Sequence, residues 1–158
     1  MLRVRLETLI ASNSHILNPN IIYPGDVLCV PGLIHYPCSI VLRPVVAVPF
    51  GTGGVAYVNF APRGGQAVSF MATLPQPSVF GDFDIYLGEI YVLDIGGFGT
   101  QLFPTSENPP TWSARVELPT VVSIPPNSQV VIRPSNSLTG ISSGVILQAI
   151  IHSGSCHL

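Results

Sequence analysis

Hydrophobic and polar positions change their period near residue 38. Upstream, Leu6, Leu9 and Ile10 share one face at the i, i+3, i+4 spacing, which predicts a short helix ended by Asn13. Two turn signals follow, Asn18-Pro19-Asn20 and Pro24-Gly25-Asp26, then a short β-branched run over 27–30 closed by Pro31 and Gly32. From Cys38 onward the pattern is that of strands. Runs rich in Val, Ile, Phe and Tyr fall at 40–48, 54–61, 66–74, 83–93, 98–103, 111–118, 129–133 and 145–151, separated by Pro, Gly, Asn and Ser.

Eight such runs predict a mainly β protein: an antiparallel β-sandwich or jelly roll preceded by a helix–loop–strand segment. The expected organisation is a segment over 1–32, a linker over 33–38 and the sandwich over 39–158. The last run, VILQAII over 145–151, is apolar on both faces, so its outer face is expected to be covered as well.

Composition sharpens that expectation. Charged residues make up only 9% of the 158 and hydrophobic ones 47%, too little polar covering for a solitary monomer. No stretch approaches the roughly 18 uninterrupted apolar residues of a spanning helix, so no membrane span is expected. Burial against copies of the same chain is the reading that remains, with the chain itself as partner. Net charge is −2, and the six basic residues are scattered arginines that form no stripe, which excludes nucleic acid as a partner. The first residues hold Arg3 and Arg5 but no apolar stretch, and do not read as a secretory signal peptide.

The upstream strings are more specific than their composition. LIASN over 9–13 and NPNIIYPGDVLCVP over 18–31 resemble the second half of a LysM module: its second helix, its Asn-Pro loop and its closing strand. A complete module begins with a further strand and helix, where this chain has only Met1 and Leu2, so the resemblance over 3–31 is to a truncated module. LysM modules bind N-acetylglucosamine-containing glycans in a shallow groove between two loops. The resemblance therefore implies peptidoglycan or a chitin-like glycan as a partner, held by Asn18, Pro19, Asn20, Ile21 and Ile22. Another string, LPQPSVFGDFDIY over 74–86, resembles β-sandwich domains that accompany LysM in spore-forming Gram-positive bacteria.

Chemistry is harder to find. The string GISSG over 140–144 fits the nucleophile-elbow pattern around Ser142, but a strand follows it where that motif needs a helix. No acid follows Ser142 to orient His152, so a turn is expected. GTGGVA over 51–56 likewise precedes alternating residues and reads as a β-turn, not a dinucleotide loop. Cys29, His35, Cys38 and Cys156 are zinc-type ligands without a short chelating step, so no metal is expected. A disulfide is the better use of the three cysteines, pairing Cys38 with Cys156 or Cys29 with Cys38. Asp82 and Asp84 offer too few oxygens for calcium. Trp112, Tyr57, Tyr86 and Tyr91 are candidates for a sugar-stacking platform, or for core and interface positions.

No nucleophile, base and orienting group come together, so neither an enzyme nor a cofactor is expected. Two functions from different classes follow. One is a non-catalytic structural protein, extracellular or on a cell surface or spore coat, that self-assembles into a filament or layer through its sandwich and its LysM-like arm. The other is a LysM cell-wall protein that binds peptidoglycan.

Overall fold

The computed structural model describes residues 6–11, 13–14, 16–26 and 36–152. The chain divides into two compact units, Met1–Leu33 and Ile34–Leu158. In the first, α1 (Leu6–Ala11) occupies the segment where the helical spacing was read. It ends because Asn13 takes over the last carbonyls: its backbone N–H bonds to Ile10 at 3.0 Å and its side-chain amide to Leu9 at 2.7 Å. The predicted strand over 27–30 lies outside the described residues.

The second unit is mainly β, with eight antiparallel strands: β1 (Cys38–Pro44), β2 (Gly53–Phe60), β3 (Gln66–Thr73), β4 (Ile85–Val92), β5 (Gly96–Pro104), β6 (Thr111–Glu117), β7 (Gln129–Ser135) and β8 (Leu147–Ile150). In place of the expected sandwich of two separate sheets, they close into a barrel in the order β1-β2-β3-β6-β5-β4-β7-β8. Two strands make the corners. β1 pairs with β2 through Cys38–Leu42 and then with β8 at Arg43 and Pro44. β5 pairs with β4 from Gly96 to Leu102 and then with β6 at Phe103 and Pro104. Each leaves one neighbour and joins the next at consecutive residues, so what would be two facing sheets become one closed surface.

The interior follows from alternation. Inward positions carry Ile40, Leu42, Val58, Phe70, Tyr86, Ile90, Leu102, Trp112 and Ile132, all buried. Tyr86 and Trp112 meet edge-on with ring centroids 4.9 Å apart, and both spend their polar groups locally. The Tyr86 hydroxyl donates to the Pro75 carbonyl at 2.9 Å, and the Trp112 indole to Leu74 at 3.2 Å. Burial pushes the Tyr86 hydroxyl far above its ordinary pKa, so it stays a donor at any working pH. The long β6–β7 connection is tied down by Gln66, whose buried side-chain oxygen accepts the Ile124 N–H at 2.6 Å while its own carbonyl takes the Leu118 N–H at 2.8 Å.

Two expectations are corrected here. β1 stops at Pro44 and does not run to Val48, and Val45 and Val46 beyond it are exposed. β8 is only partly apolar on its outer face, through Ile150. Ile146 and Ile151, which read from sequence as part of a second face, flank a four-residue strand and turn into the core, while Gln148 and Ile150 point outward. The apolar outer surface lies elsewhere: Val41, Val55 and Met71 form one row across β1, β2 and β3, with Tyr57 beside it. Val41 is 61% exposed and Met71 54%.

Gly88 on β4 faces inward, where a Cβ would come within 2.8 Å of Leu102 and 2.9 Å of the Phe70 ring. Gly88→Ala should therefore destabilise the barrel by about 1–3 kcal/mol in denaturant unfolding, because an aromatic ring cannot yield as a flexible chain can. Gly144, with open space around it, is the control, and Gly144→Ala should change stability by less than about 0.5 kcal/mol.

Cys38 is buried and disulfide-bonded, whereas Cys29 and Cys156 lie outside the described residues. Alkylation of the denatured, unreduced chain should accordingly label no more than one of its three cysteines by intact mass; three labelled thiols would contradict the bond.

Candidate functional site

The loop implied by the LysM resemblance is built from two local turns. The Asn18 side chain accepts the Asn20 N–H at 3.1 Å while the Asn18 carbonyl takes the Ile21 N–H at 3.0 Å, an Asx-type turn around Pro19. Tyr23 to Asp26 form a second turn, with Gly25 at φ +101° and the Asp26 carboxylate accepting the Tyr23 N–H at 2.7 Å. The five implied residues are all exposed, yet they do not share one groove. Pro19 and Ile22 line a small apolar hollow with Leu6, Leu9, Ile10 and Ile16 from the helix side. Asn18 and Ile21 line an adjoining depression with Leu17, Tyr23 and Asp26, divided from the first by Ile16, and Asn20 lines neither.

In the barrel, Ser142 belongs to the β7–β8 connection and bonds the Ser135 hydroxyl at 3.0 Å, with no helix after it. Gly51, at φ +86°, turns the chain from β1 into β2. Asp82 and Asp84 act as a clasp. The Asp84 carboxylate accepts both the backbone N–H and the hydroxyl of Ser137, and the Asn136 amide donates to the Asp82 carbonyl at 3.0 Å. Those bonds from Ser137 hold the Asp84 carboxyl below the usual carboxylate range. Among the described residues no three metal-ligating side chains come together; Cys29, His35 and Cys156 are outside them.

The four aromatic candidates separate. Tyr86 and Trp112 are core, whereas Tyr57 on β2 and Tyr91 on β4 stand on strands that do not pair. Tyr91 belongs to a cluster that the sequence reading missed. On the outer face of β4 and β7, Arg133 Nε and Glu89 Oε2 lie 2.7 Å apart, with each side chain less than a quarter exposed. The same guanidinium donates to the Tyr91 hydroxyl at 3.0 Å and lies 5.8 Å from its ring centroid. Burial and the neighbouring Glu89 carboxylate raise the Tyr91 hydroxyl above its ordinary pKa. Two outward glycines of β5 make room. Gly97 sits opposite Tyr91, with the ring so close that a Cβ would fall within 2.9 Å, and Gly99 sits opposite Glu89. Those glycines at alternate positions of a strand were the available signal.

Comparison with known proteins matches this barrel and not the segment before it. The family described as SPbeta prophage-derived uncharacterized protein YoqH matches residues 34–155, beginning where the second unit begins. The Bacillus subtilis (strain 168) protein of that description is 33% identical over 110 residues, covering 65% of this chain and 72% of its own length. No solved structure matches. With more than half of its length matched, the chain belongs to the YoqH family of SPbeta prophage-derived proteins.

Proposed function

We propose that this chain is a non-catalytic structural protein of a cell or spore surface that assembles with copies of itself through the outer face of β1, β2 and β3. The observation that carries the reading is the row of Val41, Val55 and Met71, with Tyr57 at its side, on the water-facing side of a barrel whose core is already complete. Apolar area left in water costs about 25 cal/mol per Å², and a second copy laid on the row removes that cost from both faces at once. The scarcity of charge, 9% of residues, supports the same reading.

The LysM-like segment over 3–31 acts in this proposal as an arm between subunits. Its exposed Leu6, Leu17, Ile21, Ile22 and Tyr23 supply apolar contacts, more than its small size can bury internally. The alternative is a peptidoglycan-binding cell-wall protein. The Asx-type turn around Pro19 and the exposed Ile21 and Ile22 favour it, because they present the loop that a LysM groove would use.

Sedimentation velocity of the full chain at micromolar concentration should show species larger than a monomer. Val41→Glu and Met71→Lys place charges on exposed positions that leave the core intact, and each should return the protein to a monomer whose unfolding midpoint matches that of the wild type diluted to a monomer. A wild-type chain that runs as a monodisperse monomer overturns the assembly reading.

A further inference from the structure

A second surface of the barrel has the chemistry of a binding site and stands independently of the assembly face. Where β4 turns into β5, a shallow recess of about 400 Å³ is lined by Tyr91, Asp94, Asn127 and Gln129, with Leu93 at its edge. That volume is at the lower end of those that hold small ligands, about 300–1,000 Å³. Its two rims come from different parts of the chain: the β4–β5 turn on one side and the turn that leads into β7 on the other.

Among the described residues, only two non-glycine residues have positive φ, Asp94 at +62° and Asn127 at +69°, and both stand on this recess. Asp and Asn are the side chains that tolerate this conformation best, so turn geometry accounts for the backbone. It does not account for the side chains. The carboxylate of Asp94 and the amide of Asn127 are exposed and that of Gln129 half-buried, and all three face water with no side-chain hydrogen bond to another described residue. The backbone beneath them is fixed, with the Asn127 N–H on the Ile151 carbonyl at 2.7 Å and the Ile95 N–H on Val92 at 3.1 Å. Tyr91 is fixed as well, by Arg133 on its hydroxyl and by Gly97 under its ring. Three solvent-facing polar groups and one immobilised aromatic ring therefore line the same recess.

The donor set selects the ligand. An anion finds no available cation, because Arg133 is paired with Glu89 and Asp94 contributes a negative charge. A metal ion finds one carboxylate where calcium takes about six to eight oxygens. Two amides, which donate and accept, and a carboxylate, which accepts, suit vicinal hydroxyls, and an aromatic ring suits the C–H face of a pyranose. We propose that the recess formed by Tyr91, Asp94, Asn127 and Gln129 binds an uncharged pyranose unit of a glycan.

Saturation-transfer NMR on the full chain, with chitotetraose, cellotetraose and maltotetraose as probes, tests this. At least one probe should receive saturation and bind at millimolar concentration. Asn127→Gly and Asp94→Gly keep the backbone conformation, since glycine takes positive φ freely, and remove only the polar groups. Each, like Gln129→Ala, should weaken that binding by about tenfold or more, the equivalent of one or two lost hydrogen bonds, with an unchanged unfolding midpoint. Asn20→Ala with Ile22→Ala, in the other unit, should leave it unchanged. The proposal is overturned if no probe binds, if binding survives all three recess variants, or if it is lost in the Asn20 and Ile22 variant alone.

Discussion

Closure of the barrel depends on two strands that each serve two neighbours. β1 changes partner between Leu42 and Arg43, and β5 between Leu102 and Phe103. If either strand kept a single neighbour throughout, the sheet would open and leave a row of unpaired backbone groups along each edge. Because both corners hold, the inward side chains of all eight strands enclose one core, while the pairing of β1, β2 and β3 carries an apolar row across their outer face. Within one of the joined sheets β4 pairs with β7, and that register places Glu89 within reach of Arg133.

Glycine placement decides what each side of this wall can hold. Gly88 faces inward and admits the Phe70 ring across the barrel, next to the edge-on pair of Tyr86 and Trp112. Gly97 and Gly99 face outward and let Tyr91 and Glu89 lie flat against β5. An ordinary side chain at any of these positions would displace an aromatic ring or the half-buried ion pair. Truncating one member of that pair would leave the other charge without its partner in a largely desolvated place, which is the costly way to alter such a contact.

Much of the local structure was legible in the sequence because it is set locally. The helix over Leu6–Ala11 follows from three apolar residues on one face and an Asn to end it, and β3 and β6 begin where the turn residues before them end. What escaped was decided at long range. Pro44 and Pro104, each two residues past a change of partner, mark strand ends in the sequence but do not say which strand pairs next, so a sandwich was the expectation and a barrel the outcome. The run over 145–151 looked apolar on two faces because its ends leave the strand and enter the core. The Glu89–Arg133–Tyr91 cluster depends on the register of β4 against β7, which no local spacing reveals. Of the implied glycan loop, the turns are present, but Pro19 and Ile22 line one depression, Asn18 and Ile21 its neighbour and Asn20 neither, a matter of side-chain direction that the motif does not carry.

Self-assembly as proposed requires that the outer face of β1–β3 be covered by another copy of this chain. Met71 stands at the β3 end of that apolar row, 54% exposed in the single chain, and its thioether is a direct reporter of solvent access. Peroxide footprinting of the native protein across a dilution series, read by mass spectrometry at the Met71 peptide, measures that access. Covering by a second copy predicts slow oxidation of Met71 at high protein concentration and fast oxidation once dilution has dissociated the assembly. Fast oxidation at every concentration would contradict it.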